Sequence, residues 1–396
     1  MRFIDCDIVV VGAGPAGSLA ARTAAEKGAK VLLLEEHQVV GSPVSCAEGL
    51  SLRGIIDAGL QPVEPYISQK VTKANVYAPN LKHIELTSEN WVGYNLNRNH
   101  FDKALGDNAV KAGAELLVST SASSVIKDDN KIIGVKATQN NEPIEIHAKV
   151  TIGADGYQSI IRRSAGMERF YSDYCSCAQY TLKGLDLDDP QVNGFYLGVE
   201  RCPGGYVWVF PKNEDSANVG VGVRKINDKP AIDYLEKFIK KDPRFKNSKV
   251  ISRCGGITPV SGQFDRITLN GLMLVGDAAG QVVSLTGAGI HSSIEAGKIA
   301  GSEAVDAIVA ENLSESRLNR YSDKYDVYWG KRIRDSRKMV EMLDKFSDED
   351  LNALAEVIKN DEILSLANGE GTAITLAKII SRSPGKIVKL MAAYLR

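Results

Sequence analysis

Three glycines and one glutamate near the start of the chain have the types and the spacing that dinucleotide binding requires. Gly12, Gly14 and Gly17 follow the apolar run at 8–11 in the pattern GxGxxG, and Glu35 ends a second apolar run. The first glycine permits a tight turn, the second lets the backbone approach a pyrophosphate, and the third lets a helix pack on the strand. Glu35 is placed to accept hydrogen bonds from a ribose diol. The pattern predicts a βαβ unit that binds a dinucleotide lacking a 2′-phosphate.

Two further stretches place an acidic residue at the predicted end of a strand. Residues 153–156 read GADG after a buried apolar run, and residues 275–280 read VGDAAG after another. Asp155 either helps to orient a pyrophosphate or caps a turn, and the sequence leaves both interpretations open. Asp277 stands at the carboxyl end of its strand, where ligands bind in open α/β sheets.

The elements that must position these residues alternate between strand and helix. Apolar runs predict buried parallel strands at 8–11, 31–34, 116–118, 150–152 and 272–275. The helical pattern predicts helices at 18–26, 55–60, 101–112 and 290–309. From about 174 to 254 short alternating strands dominate, with one helix at 231–239, which indicates an inserted antiparallel sheet.

The chain beyond residue 311 reads as helical. Ser347 and Asp350 have the spacing of a capping box, and Ser383-Pro384 is the predicted start of the last helix. The predicted division is a discontinuous dinucleotide-binding domain (1–75, 98–172, 255–310), a substrate-binding β-sheet domain (76–97, 173–254) and a C-terminal helical region (311–396).

The bulk composition is that of an ordinary soluble protein. The chain has 396 residues, a net charge of −1 and 44% hydrophobic residues. Nothing in this balance suggests a nucleic-acid partner, and no apolar run reaches the length of a spanning helix. The six cysteines show no CxxC spacing, so no metal site is predicted, and a reduced, cytoplasmic protein is expected.

Three features allow two interpretations each. Tyr206, Trp208 and Phe210 alternate on one strand face, either as plain sheet core or as an apolar wall for a substrate. His291 fits a satisfied helix histidine better than a catalytic acid. Residues 371–396 hold five bases and no acid beside an apolar stripe, which fits either a peripheral membrane contact or a solvated face.

The glycine turn with Glu35, the GADG turn and the VGDAAG turn together resemble the FAD-dependent flavoproteins of the p-hydroxybenzoate hydroxylase type. Arg98, in NRNHFDKAL, matches the arginine that these proteins use beside the flavin. The resemblance covers about residues 1–310. It implies an α/β fold of the Rossmann-like FAD-binding type with an inserted antiparallel β-sheet substrate domain and a C-terminal helical region.

Within that group the chain is similar to the geranylgeranyl reductases, especially the archaeal reductases of digeranylgeranylglycerophospholipids. The residues that carry this are SCAEG at 45–49, GGYVWVFPK at 204–212 and GGITPVSG at 255–262. The resemblance extends the expected FAD contacts beyond the glycines and Glu35. The added contacts are Ala16, Cys46, Ala47, Gly49, Arg98, Ala122, Asp277, Gly289 and Ile290.

Physical reasons accompany several of these expected contacts. Asp277 can accept hydrogen bonds from ribityl hydroxyls, and backbone groups near Ala122 could meet the adenine. Gly289 and Ile290 open a helix, whose free N–H groups stabilise negative charge by about 0.3–1 kcal/mol. Cys46 could be a packing residue beside the flavin, a redox thiol or a proton donor, and it is the one weak catalytic candidate.

The resemblance implies a prenyl reductase in which the N5 atom of reduced FAD delivers a hydride to an isolated C=C bond and a proton is added to the other carbon. Tyr206, Trp208 and Phe210 would then contact the prenyl chain of the lipid substrate. The reductant stays open between NAD(P)H, ferredoxin and another reduced carrier, which leaves room for an electron-donor protein. Two alternatives remain: a monooxygenase or halogenase on the same scaffold, although no WxWxIP-like run occurs, and a non-enzymatic prenyl-binding escort.

Overall fold

The computed structural model describes residues 2–87, 92–168, 170–224, 229–369, 371–383, 385 and 388. Its strands in chain order are β1 (Arg2–Val11), β2 (Val31–Leu34), β3 (Gly49–Ser51), β4 (Ile67–Val71), β5 (Lys73–Tyr77), β6 (His83–Thr87), β7 (Gly93–Leu96), β8 (Glu115–Leu117), β9 (Thr120–Asp128), β10 (Lys131–Gln139), β11 (Glu142–Gly153), β12 (Tyr174–Lys183), β13 (Val192–Tyr196), β14 (Tyr206–Pro211), β15 (Ser216–Val223), β16 (Lys249–Pro259), β17 (Thr268–Leu269) and β18 (Leu272–Leu274). Its α-helices are α1 (Pro15–Glu26), α2 (Leu52–Asp57), α3 (Arg98–Lys111), α4 (Ile160–Ser164), α5 (Ala231–Lys241), α6 (Ile290–Val309), α7 (Glu315–Leu318), α8 (Arg320–Tyr325), α9 (Lys331–Leu343), α10 (Asp348–Val357), α11 (Asn360–Asn368) and α12 (Thr372–Ile380).

The first sheet confirms the predicted parallel strands. Its order is β17-β18-β11-β1-β2-β8, and β18, β11, β1, β2 and β8 run parallel to one another. Beside β11, the antiparallel strands β10 and β9 extend this sheet. All five parallel strands therefore end at one edge of the sheet, where the predicted cofactor residues stand.

Three helices start three residues earlier than predicted, α3 at Arg98 instead of residue 101 among them, and local caps explain the other two. The first helix begins at Pro15 instead of residue 18, since proline is favoured in the first turn, where its missing N–H costs nothing. The second begins at Leu52 instead of residue 55, since the Ser51 hydroxyl accepts a hydrogen bond from the N–H of Gly54 and caps the helix.

The second sheet has seven strands in the order β16-β12-β15-β14-β13-β5-β6. Five of its six strand pairs are antiparallel, as predicted, but β13 pairs with β5 in parallel. The prediction of an antiparallel sheet is therefore wrong for the β5–β13 pair, because β5 comes from a distant part of the chain. Two boundaries of the predicted domain division, 75/76 and 254/255, fall inside β5 and β16.

A small third sheet and the C-terminal helices complete the fold. The order β3-β7-β4 joins the 45–49 loop to the start of α3. The predicted capping box is confirmed: the Asp350 N–H donates to the Ser347 hydroxyl, and the Ser347 N–H donates to the Asp350 carboxylate. Pro384 and most of the predicted last helix lie outside the described residues. No helix in the described part of the chain has both the length and the hydropathy to cross a bilayer.

The backbones of helices α1 and α6 lie against each other with no side chain between them. A Cβ atom on Gly297 would collide with the carbonyl oxygen of Ala16, and one on Gly301 would collide with that of Ala20. On the other side of α1, a Cβ on Gly17 would collide with the carbonyl oxygen of Gly12. The two helices thus lie at a distance that only glycine permits, and their N-termini point to the same sheet edge.

We expect Gly297→Ala to destabilise the protein by about 1–3 kcal/mol, because the added methyl group forces α6 away from α1. Denaturant unfolding followed by circular dichroism measures the change. Gly106→Ala in α3 is the matched control, because a Cβ there meets only Val40 side-chain atoms at 3.5 Å. That control should be neutral or slightly stabilising, and equal destabilisation of both variants would contradict the packing argument.

Candidate cofactor and substrate site

One cavity of about 1130 Å³ opens at the carboxyl ends of the parallel strands. It extends from the turn after β1, past the turns after β11 and β18, to the face of the second sheet. Twelve residues predicted from the sequence line it: Gly14, Ala16, Cys46, Ala47, Gly49, Arg98, Tyr206, Trp208, Phe210, Asp277, Gly289 and Ile290. The predicted cofactor residues and the aromatic strand therefore share one space.

The glycine turn has the geometry of a phosphate cradle. A Cβ atom on Gly12 would lie 2.5 Å from the carbonyl oxygen of Ala154, and Gly12 has a φ of +99°, so this position requires glycine. Gly14, by contrast, faces open space, with nothing within 4 Å of its would-be Cβ. It precedes the first turn of α1, whose N–H groups have no intrahelical partners. The turn therefore offers backbone donors to an anion at the point where a Cβ would intrude.

Glu35 lies behind this turn and is buried. Its carboxylate accepts hydrogen bonds from the N–H of Ala13, at 3.1 Å, and from the N–H of His37, at 3.0 Å. Ala122 lies on β9, two residues after Thr120, whose N–H donates to the Glu35 carbonyl oxygen. Both residues stand beside the glycine turn without lining the cavity itself, and their predicted contacts with ribose and adenine stay predictions.

The carboxylate of Asp277 faces the cavity, and none of the described residues donates a hydrogen bond to it. Burial raises the pKa of Asp277 to about 6, while the positive charge of Arg98 acts in the opposite direction. A carboxylate that has lost water without gaining a donor is destabilised until a ligand supplies hydroxyl or N–H groups. The Asp277 carboxylate is therefore available to accept hydrogen bonds from a polar ligand.

A buried arginine that the sequence analysis missed supports this turn. Arg162 donates to the carbonyl oxygen of Ala278, at 2.8 Å, and to the hydroxyl of Tyr171, at 2.7 Å. Tyr171 in turn donates to the carbonyl oxygen of Asp277, at 2.6 Å. The guanidinium also contacts the stacked rings of Tyr171 and Phe264, 4.6 and 4.7 Å from their centroids. Arg162 therefore fixes the backbone on which Asp277 stands.

Asp155 takes the second of its two predicted roles. Its carboxylate accepts hydrogen bonds from the Ser159 hydroxyl, at 2.6 Å, and from the Ile161 N–H, at 3.0 Å. Both donors belong to the start of α4, so the carboxylate caps that helix. With both oxygens occupied by the protein, the structure favours the turn-capping interpretation.

Two hydrogen bonds, to different strands, tie the 45–49 loop to the second sheet. Ser45 donates to the carbonyl oxygen of Gly255, at 2.8 Å. Gln179 donates its amide to the carbonyl oxygen of Cys46, at 2.9 Å, while its amide oxygen accepts from the indole N–H of Trp208, at 2.8 Å. The loop at the predicted flavin position is thus connected to the aromatic strand through one side chain, that of Gln179.

Glu48, which the sequence analysis did not assign a role, joins three elements at the same loop. One carboxylate oxygen accepts the N–H of Arg98, at 2.9 Å. The other accepts the amide of Asn218, at 2.7 Å, and the ammonium of Lys212. Glu48 and Lys212 are nearly buried, so this ion pair holds α3, the loop and the second sheet in one arrangement. Two of these three partners, Lys212 and Asn218, are more than a hundred residues away in sequence, and such contacts leave no local signal that could have identified the role of Glu48.

The charge beside Cys46 is set by a second buried pair. Arg98 makes a two-point ion pair with Asp102, with nitrogen–oxygen distances of 2.7 and 2.6 Å. Burial alone would lower the pKa of Arg98, but Asp102 and Cys46 raise it, so the guanidinium stays charged. Burial raises the pKa of the Cys46 thiol above its ordinary 9.0, and Arg98 offsets this only in part. Cys46 is therefore a protonated thiol at neutral pH.

The far wall of the cavity is aromatic and apolar. The rings of Tyr206 and Trp208 lie 6.0 Å apart, and Phe195 bridges Tyr206 and Phe210 at 5.6 and 5.2 Å. Tyr206 also donates its hydroxyl to the carbonyl oxygen of Thr286, which ties this wall to the loop before α6. The C-terminal helical region, to which the sequence analysis gave no site residue, adds further lining. These residues are Val340, Leu343, Phe346, Leu351, Leu364 and Ala367.

His291 has a structural partner, as the sequence favoured. Its Nε2 lies 2.9 Å from the Asp57 carboxylate, and its ring meets Trp329 edge-on at 4.9 Å. Burial lowers the pKa of His291, and Asp57 raises it less. Asp57, His291 and Glu295 bring potential metal ligands within 4.8 Å of one another, but Asp57 pairs with Arg53 and Glu295 with Lys298. This group is an ion-pair network at one end of the cavity.

These features fit FAD. The open cradle at Gly14 suits a pyrophosphate, the unpartnered Asp277 carboxylate suits polyol hydroxyls, and the N-terminus of α6 at Gly289 and Ile290 suits an electron-rich ring edge. Backbone donors, one carboxylate acceptor and one charged arginine are the groups through which proteins hold and tune a flavin.

Comparisons with known proteins agree with this geometry. The family model described as FAD dependent oxidoreductase matches residues 7–173, and the one described as geranylgeranyl reductase catalytic domain matches residues 173–258. Flavin-dependent brominase structures superpose with a TM-score of 0.74 at 19–20% identity, which shows the shared fold alone. The fold and the site define an FAD-dependent oxidoreductase.

More similar relatives narrow the class. The chain is 39% identical to digeranylgeranylglycerophospholipid reductase 2 of Methanopyrus kandleri, over 96% of this chain and 97% of that protein. It is 40% identical to digeranylgeranylglycerophospholipid reductase of Methanosarcina acetivorans, over 91% and 90%. A solved geranylgeranyl bacteriochlorophyll reductase-like structure from Thermoplasma acidophilum has a TM-score of 0.90 at 35% identity, covering 99% of this chain and 100% of that one. The chain belongs to the geranylgeranyl reductase family.

We expect Gly14→Val to abolish flavin binding without unfolding the protein. The side chain would project into the empty cradle, where nothing lies within 4 Å, so the fold tolerates it while a pyrophosphate does not fit. Flavin absorbance of purified protein and thermal unfolding of the flavin-free protein measure the two effects. Gly17→Val is the control that should disrupt the fold itself. A Gly14→Val protein with full flavin content would contradict the assignment of the cradle.

Proposed function

We propose that the protein saturates C=C bonds in the geranylgeranyl chains of archaeal-type isoprenoid ether lipids, with FAD as its cofactor. The observation that carries the proposal is the single cavity in which the predicted flavin residues face the aromatic strand. The names of the full-length relatives supply the substrate class. Bound FAD would supply the hydride chemistry that amino-acid side chains lack.

The protein's own contribution begins with orientation. An isolated alkene has no carbonyl for a charged group to polarise, so positioning and exclusion of water have to lower the barrier. Tyr206, Trp208 and Phe210 give the chain a rigid apolar surface, and the hydrogen bond from Trp208 to Gln179 fixes that surface relative to Cys46. The lining from the C-terminal helices extends the apolar surface, which suits a long prenyl chain.

Anaerobic incubation of dithionite-reduced protein with unsaturated ether lipids tests the proposal. We expect mass gains in steps of two hydrogens, measured by mass spectrometry. The absence of oxygen separates a reductase from a monooxygenase or halogenase, which need oxygen for turnover. Unchanged masses across glycerophospholipid and free diphosphate substrates, with flavin bound and reduced, would refute the proposed activity.

We further propose Cys46 as the proton donor. Its thiol lines the cavity beside Arg98, and its raised pKa keeps the proton on sulfur at neutral pH. The backbone N–H of Glu48 and the neighbouring Arg98 stabilise the thiolate that remains after donation. Reduction of an alkene needs one hydride and one proton. The Cys46 thiol lines the cavity and carries its proton at neutral pH, as a donor of that proton must.

We expect Cys46→Ala to retain flavin but to slow lipid reduction by roughly 10²-fold, the usual size of a lost proton donor. The wild-type rate should stay flat through neutral pH and fall only above pH 9.0, because the folded-state pKa of the thiol lies above that ordinary value. Anaerobic initial rates across pH measure both. Cys6→Ala is the control: burial also raises the pKa of that thiol, to about 12, but Cys6 lies on β1 away from the cavity. A full rate in Cys46→Ala would exclude the role.

The source of electrons and the location of the protein complete the proposal. We propose reduction by NAD(P)H, ferredoxin or another reduced carrier, because the sequence has no second glycine turn in a comparable βαβ context.

We propose a cytoplasmic protein in peripheral contact with the membrane that holds its substrate. Much of the basic tail first considered for this contact, including Lys386, Lys389 and Arg396, lies outside the described residues.

A further inference from the structure

Two apolar side chains are exposed at one end of the cavity. Residues Asp326–Gly330 form a π-helical turn between α8 and α9. Val327 is 82% exposed and Tyr328 is 51% exposed, while the next residue, Trp329, lines the cavity. A π turn inside a helix is rare and is frequently found at functional sites. The turn directs apolar side chains toward solvent at the entrance to the site.

The helix α2 brings a third exposed apolar residue to the same end. Ile56 is 50% exposed, and Arg53 of the same helix lines the cavity, as Tyr328 does. His291 connects the two elements, because it pairs with Asp57 of α2 and contacts Trp329 of the π turn. The exposed apolar residues of α2 and of the π turn therefore flank one opening.

Positive charge continues from this opening along α9. Lys331, Arg334 and Lys338 are all exposed, and their spacing of three and four residues puts them on one helix face, where Arg334 also pairs with Asp326 of the π turn. The sequence of α9, KRIRDSRKMVEML, has five basic and two acidic residues. Exposed apolar side chains next to a basic helix face are complementary to an anionic lipid surface, where the apolar groups enter the interface and the cations meet the headgroups.

We propose that Ile56, Val327, Tyr328, Lys331, Arg334 and Lys338 form a docking face for an anionic lipid bilayer, an inference that rests on the proposed lipid substrate. The face surrounds the cavity opening lined by Arg53, Trp329 and Arg332, so a docked molecule receives a prenyl chain without exposing it to water. This places the membrane contact on the π turn and α9 instead of the C-terminal tail.

Flotation of the full-length, flavin-loaded protein with vesicles tests the docking face. The probes are phosphatidylglycerol–phosphatidylcholine vesicles and vesicles of phosphatidylcholine alone. We expect binding to the anionic vesicles only, and a roughly tenfold loss of bound protein in Val327→Asp and in Lys331→Glu. Val309→Asp is the matched apolar control, because Val309 is 78% exposed at the opposite end of α6. Lys241→Glu, at the exposed end of α5, is the matched charge control, and both controls should bind like the wild type.

Equal flotation of Val327→Asp and Val309→Asp, or no flotation of the wild type, would overturn the docking face. Loss of flotation on changing Lys386 and Lys389 to Gln, with Val327→Asp still bound, would assign the contact to the C-terminal tail and overturn it as well. Flotation does not depend on turnover, so a protein that binds in the expected pattern but reduces no lipid supports the face and refutes only the reductase. Retained activity of Val327→Asp on detergent-solubilised lipid, with loss on vesicle-embedded lipid, would support both proposals.

Discussion

The close contact between α1 and α6 is the constraint on which the rest of the site depends. Gly297 and Gly301 leave no side chain between the two helices, and Gly17 lets α1 lie directly on the turn after β1. The N-termini of both helices therefore converge on the same end of the parallel sheet. One terminus lies at the predicted pyrophosphate position and the other at the predicted position of the flavin ring, so a single packing distance sets the spacing between the two predicted halves of the cofactor site.

A second constraint couples that cofactor site to the substrate wall. The 45–49 loop belongs to the dinucleotide-binding part of the chain, yet Glu48 is paired with Lys212 and hydrogen-bonded to Asn218 in the second sheet. Because both charges are nearly buried, separating them would leave an uncompensated ion in a poorly hydrated place. Gln179 adds a neutral connection from the same loop to Trp208. The loop therefore moves with the sheet, and the distance between Cys46 and the aromatic wall is fixed by these contacts.

The two sides of the cavity differ in polarity because different elements line them. Backbone donors, Asp277 and Arg98 supply polarity on the side of the parallel sheet, and the second sheet supplies aromatic surface. The C-terminal helices close the apolar part with side chains such as Leu343 and Phe346. The opening beside the π turn is cationic and apolar at once. The cavity is therefore amphipathic. Its polar side suits a polar cofactor, and its apolar side suits a long hydrocarbon chain.

The sequence by itself determined the elements whose signals are local. The glycine turn, the parallel strands, α6 at its observed bounds and the capping box at Ser347 all depend on residues within a few positions of one another, because turns, caps and periodic burial act over that range. The family resemblance extended this to residues of the cavity wall such as Cys46, Arg98 and Ile290. Only the tertiary structure decided the roles of Glu48, Gln179 and Arg162, the parallel pairing of β5 with β13, and the contribution of the C-terminal helices to the cavity. These depend on groups far apart in the chain, whose meeting is set by how the sheets and helices pack.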